Sequence, residues 1–118
     1  MKNFFDIPTT EHIEQVNFVR WFRLQYPGVV IFAIPNGGQR HKATAAKLKA
    51  EGVVAGVPDI FIPAWATWIE MKKPGGKVSD SQATMKHYLE GCGYTVYVCY
   101  GFDDAKKVMQ NANNNHAR

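Results

Sequence analysis

Gly56-Val57-Pro58-Asp59-Ile60-Phe61-Ile62-Pro63-Ala64-Trp65-Ala66-Thr67-Trp68-Ile69-Glu70-Met71-Lys72 is the stretch whose reading decides the fold. Two runs rich in β-branched and aromatic residues, 59–62 and 67–72, are joined by a very short turn and read as a hairpin. With Ala64 and Trp65 as a two-residue turn, Pro63 faces Ala66, Phe61 faces Trp68 and Asp59 faces Glu70. Side chains alternate along a strand, so Asp59, Phe61, Trp68, Glu70 and Lys72 share one face. Ile60, Ile62, Ile69 and Met71 take the other, which is expected to be the core side. Directly opposed residues hold their Cβ atoms about 4.5–5.5 Å apart. Two carboxylates that close repel one another unless a cation lies between them. A hard divalent cation suits such a pair: Mg²⁺ uses one or two carboxylates together with water and substrate phosphate. Lys72, on the same face as Glu70, is placed to orient a water or to steady charge on a phosphate.

Working outward, Thr9 or Thr10 caps a helix from Glu11 to about Gln25, which stops before Tyr26-Pro27-Gly28. Its apolar positions form a wide stripe, implying contacts on more than one side. Residues 29–34 read as a buried strand, and Pro35-Asn36-Gly37-Gly38-Gln39-Arg40 as a loop rich in turn formers. A short helix over Lys42–Ala50 ends at Gly52. Ser79 caps a helix to about Gly91, with Gln82 completing a capping-box pattern. Thr95–Tyr100 is a further strand, 102–110 a last helix, and 111–118 a polar tail expected to fray. The order of elements predicts an α/β sandwich with a mixed central sheet flanked by helices.

The composition narrows the function classes. A chain of 118 residues with 46% hydrophobic content fits one domain, residues 1–118, with its own core. The longest apolar stretch, 29–35, is too short to span a bilayer. The first residues do not read as a signal peptide, and Cys92 and Cys99 lack metal-ligand spacing, so a reduced cytoplasmic protein is the expectation. Fourteen Lys and Arg against ten Asp and Glu, a net charge of +4, permit a polyanionic partner without demonstrating one. Gly75-Gly76-Lys77 lacks the rest of a P-loop, so no nucleotide cofactor is expected.

Pro58-Asp59 followed by Glu70-Met71-Lys72 matches the PD-(D/E)xK pattern of the restriction-endonuclease-like nucleases. The context is more specific: Ile34-Pro35-Asn36-Gly37-Gly38, Gly56-Val57-Pro58-Asp59, Glu70-Met71-Lys72, Ser79-x-x-Gln82 and Gly93-Tyr94-x-Val96-x-Val98-Cys99, in that order. The chain resembles a stand-alone virus-type replication-repair nuclease, the VRR-Nuc family, over roughly residues 11–107. The resemblance implies that Asp59 and Glu70 are metal ligands, with the Met71 carbonyl a third, and that Lys72 is the catalytic lysine. It also implies a glutamate and often a glutamine on the first helix. Glu11 and Gln15 match best, one helical turn apart, with Glu14 a competing assignment. Gln82 resembles the active-site glutamine of the helix after the core motif.

The expected cofactor is therefore Mg²⁺ or Mn²⁺, and the expected partner is DNA. Small members of the family are similar to Holliday-junction resolvases, which act on branched DNA as homodimers. Asn36, Gly37, Gly38, Arg40, Lys73 and Lys77 are candidates for approaching its phosphates. Bland readings stand beside these: Glu11 as a charge at the N-terminal end of a helix dipole, Gln82 as a cap and no more, Asn36-Gly37-Gly38 as a plain turn. Two alternative functions remain open, a catalytically silent nucleic-acid-binding subunit and a restriction-type endonuclease with the same core. The aromatic residues Phe4, Phe5, Trp21, Phe22, Trp65 and Trp68 exceed what one small core requires. Hence a dimer contact is expected at the first helix or at the hairpin tip around Trp65.

Overall fold

Thr10 starts the first helix. Its hydroxyl accepts a hydrogen bond from Ile13 N at 3.1 Å, and α1 (Glu11–Gln25) runs from there to the Tyr26-Pro27-Gly28 break. The computed structural model describes residues 9–35 and 42–116. After α1 come β1 (Phe32–Ala33), α2 (Lys42–Ala50), β2 (Ile60–Ile62), a 3₁₀ turn (Pro63–Trp65), β3 (Thr67–Lys72), α3 (Asp80–Gly91), β4 (Thr95–Tyr100) and α4 (Phe102–His116). The sheet order is β1-β2-β3-β4, with β1–β2 and β2–β3 antiparallel and β3–β4 parallel. This is the mixed sheet with flanking helices that the sequence predicts.

The β2–β3 register pairs Ile60 with Ile69, Phe61 with Trp68 and Ile62 with Thr67, as the hairpin reading requires. Ile60, Ile62, Ile69 and Met71 are all fully buried, so the apolar face is the core face. It packs against Phe18 and Phe22 of α1 and Ala105, Met109 and Ala112 of α4. The link between the strands is not a two-residue turn. Pro63–Trp65 forms a 3₁₀ turn closed by Ala66 at φ 47, with Ala66 N donating to Pro63 O at 3.0 Å. That turn swings Trp65 inward, where it is 7% exposed and packs edge-on against Phe22 and Tyr26 at 5.3 Å between ring centroids. Trp65 therefore fills this chain's own core and is not an exposed contact at the hairpin tip.

Two other expectations change. Only Phe32–Ala33 of the 29–34 run pairs as a strand, and both residues are exposed; β1 is an edge strand, and β2 beside it is three residues long. Ile31 alone of that run is buried. The expected frayed tail at 111–118 is helical through His116, because Ala105, Met109 and Ala112 lie one to two turns apart and put a small apolar stripe on the core side. Asn111, Asn113 and Asn114 flank Ala112 in the chain and mask the stripe in the composition. Phe4 and Phe5 fall outside the described residues.

Helices α1 and α4 are tied together by Glu14. Its Oε2 accepts from Thr9 Oγ1 and its Oε1 from Phe102 N, both at 3.1 Å, so a side chain of one helix satisfies a free amide at the start of the other. Gly101 makes room for it: its φ is +99, and a Cβ there would lie 2.8 Å from Glu14 Oε1. Glu14→Ala is expected to lower stability by about 1–3 kcal/mol, because it strands the Phe102 amide and removes a hydrogen bond to a charged group. A urea denaturation midpoint checks this; a change within about 0.5 kcal/mol, as for an ordinary surface site, would contradict the tie.

Candidate active site

Glu70 and Lys72 lie on the non-core face of β3, yet they are 4% and 6% exposed, where the sequence reading expects a largely solvent-facing site. The difference arises because α3 and the N-terminal turn of α1 cover that end of the sheet. Lys72 Nζ stands 3.9 Å from Glu70 Oε2 and 4.0 Å from Glu11 Oε1. Glu70 Oε2 also accepts from Gln82 Nε2 at 3.2 Å, and Asp59 Oδ2 accepts from Met71 N at 2.8 Å. Asp59, Glu70, Lys72, Glu11 and Gln82 thus meet at one end of the β2–β3 pair. Among the described residues no group of three or more His, Cys, Asp and Glu side chains forms a ready-made metal cage. What the site offers is a carboxylate pair, Asp59 and Glu70, with Glu11 reaching it through Lys72.

The two readings of Gln82 prove compatible because its amide has two ends. The oxygen accepts from Ser79 N at 2.9 Å while Ser79 Oγ accepts from Gln82 N, completing the capping box of α3. The side-chain nitrogen is left free for Glu70. The helix start is itself fixed against the loop that carries Asp59. Gly56, at φ +89, lies so close to Ser81 O and Gln82 N that a Cβ there would collide with α3 backbone. Loop, helix start and strand are therefore locked in one relative position, and Pro58 beside Asp59 is fully buried.

The first-helix assignment separates in the same way. Glu11 faces Lys72, whereas Glu14 is spent on the α1–α4 tie. Gln15 lies elsewhere, in a groove along α1 with His12, Val16, Val19, Arg20 and Arg23, and not in the cleft that Glu11 lines. Lys73 and Lys77 are exposed. Asn36, Gly37, Gly38 and Arg40 lie outside the described residues. The cleft beside the carboxylates has a volume of ≈ 720 Å³, and Ala45, Leu48 and Lys49 of α2 also line it. Sequence reasoning missed these α2 residues. Their i, i+3, i+4 spacing marks a common face, but nothing in their chemistry says what that face meets.

Burial beside Asp59 raises the Glu70 carboxyl from its ordinary 4.5 to about 9; loss of hydration is the main cause, followed by a hydrogen bond with Asp59 and the charge of Asp59. Lys72 pulls it down, and Glu11 adds to the rise. In the metal-free protein Glu70 is thus a neutral acid near pH 7. The unfolded chain ionises near 4.5 and the folded one near 9, so the stability linked to Glu70 is full below 4.5 and declines as pH rises toward 9. Urea midpoints in EDTA should therefore fall from about pH 5 to about pH 8, and Glu70→Gln should flatten that slope. Equal slopes for the two proteins would show that Glu70 is already ionised.

A solved structure described as a VRR_NUC domain protein is similar to this chain, with a TM-score of 0.72 and 27% identity over 95% of this chain and 90% of that one. The shared architecture is consistent with a restriction-endonuclease-like fold. Among curated proteins none matches. No helix among the described residues is long and apolar enough to cross a membrane. The family model for the VRR-NUC domain matches residues 9–103, from the cap of α1 through β4 to the first turn of α4. VRR-NUC is a nuclease domain, and a match over that much of the sequence means that the chain belongs to the VRR-NUC family.

Proposed function

We propose that this protein is an endonuclease dependent on Mg²⁺ or Mn²⁺ that hydrolyses phosphodiester bonds in branched DNA, such as a Holliday junction, and works as a homodimer. The observation that carries the reading is the meeting of Asp59, Glu70, Lys72, Glu11 and Gln82 beside one cleft. The donor chemistry fits a hard divalent cation. Burial, together with the neighbouring Asp59, keeps the Glu70 carboxyl protonated, and a cation between the two groups would offset both effects. Asp59 and Glu70 would hold it, with the Met71 carbonyl and Glu11 completing the set. Bound there, the cation supplies Lewis-acid charge to the phosphate oxygens.

The remaining work falls to the side chains. Lys72, buried and steered by Glu70 and Glu11, holds its ammonium where negative charge grows on the phosphate, and positions the attacking water. Gln82 keeps Glu70 turned toward Asp59 and Lys72. Met71 N fixes the Asp59 carboxylate through one oxygen and leaves the other for binding. Two symmetric nicks in a four-way junction need two such sites, which a two-fold dimer provides. With Trp65 turned inward, the first helix is the remaining contact of the two expected; its Ile13, Val16 and Leu24 are exposed.

The test is a cleavage panel of linear duplex, flap and four-way junction with Mg²⁺ or EDTA. Cleavage should require the cation and favour the branched substrates. Asp59→Ala and Glu70→Ala should abolish it, and Lys72→Ala should lower turnover by at least about 100-fold. Lys73→Ala, on the other side of the strand end, should change it little. Gln82→Glu should keep the α3 cap, since glutamate also serves that position, yet lose activity because it cannot donate to Glu70. Near-wild-type cleavage by Asp59→Ala or Glu70→Ala at matched cation concentration would refute the metal centre.

Assembly is read separately, by sedimentation of the protein alone and with junction DNA. A dimer at micromolar concentration is expected. A monomer in both conditions would overturn the dimer and point to nicking of flaps or single branches.

A further inference from the structure

Three carboxyl groups, those of Glu11, Asp59 and Glu70, line one side of the active-site cleft. The cation beside them, Lys72, is 6% exposed and engaged by two of the three. With Glu70 neutral, Glu11 and Asp59 against Lys72 still leave a formal net charge of −1 there, which does not attract a DNA backbone. Helix α2 lines the same cleft. Its sequence, KATAAKLKA, carries Lys42, Lys47 and Lys49 and no acidic residue in its first turn. Ala45, Leu48 and Lys49 present a common face to the cleft. Lys47 is also exposed, but two residues back along the helix it points about 200° away.

The end of α2 is anchored. Val53 N donates to Leu48 O at 2.9 Å across Gly52, whose φ is +103, closing the helix with a Schellman-type turn. From that turn the chain forms the rest of the wall through Val57 and returns to Asp59. Lys49 is thereby held on the last turn before the segment that delivers the catalytic aspartate. Its ammonium is the cleft-lining cation that no carboxylate among the described residues engages in an ion pair.

We propose that Lys49 is a phosphate clamp: from the α2 wall it pairs with a DNA backbone phosphate neighbouring the one cleaved, and so draws the duplex into an otherwise acidic cleft. The proposal rests on the nuclease reading above. A purely structural role for Lys49 is also definable, as a charge complementing the C-terminal end of the α2 dipole. The two differ in what they do to salt dependence. A lysine that neutralises a phosphate releases counterions, so its loss lowers the slope of log affinity against log salt; a helix-stabilising lysine leaves that slope alone.

The experiment is fluorescence anisotropy with labelled linear duplex and four-way junction in EDTA over a salt series. It uses the full chain, with cleavage in Mg²⁺ measured in parallel. Lys49→Ala should bind more weakly at low salt, with a slope smaller by about 0.9 for duplex DNA. Lys49→Arg should restore both, and Lys47→Ala should keep the wild-type slope. Thermal melting of each variant identifies any loss that comes from unfolding. An unchanged slope in Lys49→Ala, or an equal drop in Lys47→Ala, overturns the clamp while leaving the nuclease reading intact if wild type cleaves. Wild type that binds but does not cleave refutes the nuclease reading, and with it the clamp's place beside a cleaved phosphate; wild type that does not bind DNA refutes both.

Discussion

The rest of the structure depends on the antiparallel register of β2 and β3, which brings Asp59 and Glu70 together at one end of a buried strand pair. Burying two acids side by side is unfavourable, and loss of hydration with Asp59 alongside raises the Glu70 carboxyl to about 9. Each neighbouring element contributes something that makes it tolerable. β3 supplies Lys72 and the Met71 amide, α3 supplies the Gln82 amide, and α1 places Glu11 on the far side of Lys72. The site is a balance of charges held by backbone geometry.

That geometry is stiff where chemistry needs it. Gly56 seats the Asp59 loop against the first turn of α3, and the capping box fixes that turn, so the Gln82 amide arrives at Glu70 already oriented. On the other side Glu14 holds α1 to the start of α4, which keeps Glu11 within reach of Lys72. Helix α2 is of another kind. It does not build the core, and most of its described residues are exposed. It borders the cleft instead, through Ala45, Leu48 and Lys49.

Local pattern was enough for most of this. The alternation in 59–62 and 67–72 fixes register and core face with no knowledge of the rest of the chain, because a slip of one residue would put Ile60 and Ile69 in water. Ser79 and Gln82 announce a helix start through a motif that closes on itself. The readings that failed depended on neighbours. Residues 29–34 have strand composition, but a strand needs a partner along its length, and β2 is three residues long. The Asn-rich tail looked disordered because the burial of Ala112 depends on a surface formed by α1 and the sheet. The place of Trp65 is settled by its neighbours too: the 3₁₀ turn rotates the ring inward, against Phe22 and Tyr26.

The sequence by itself determined the order of elements, the hairpin register and the carboxylate–lysine set, since these follow from the period of side chains along a strand and from short-range capping chemistry. Only the tertiary structure decided which first-helix glutamate stands beside Lys72, that the amide of Gln82 is shared between cap and carboxyl, and that α2 lines the cleft. Those outcomes turn on how far apart elements lie and which way they face. A distance of 4.0 Å from Glu11 to Lys72, or of 3.1 Å from Glu14 to Phe102, is set by the packing of a helix on a sheet, and no spacing within either segment encodes it.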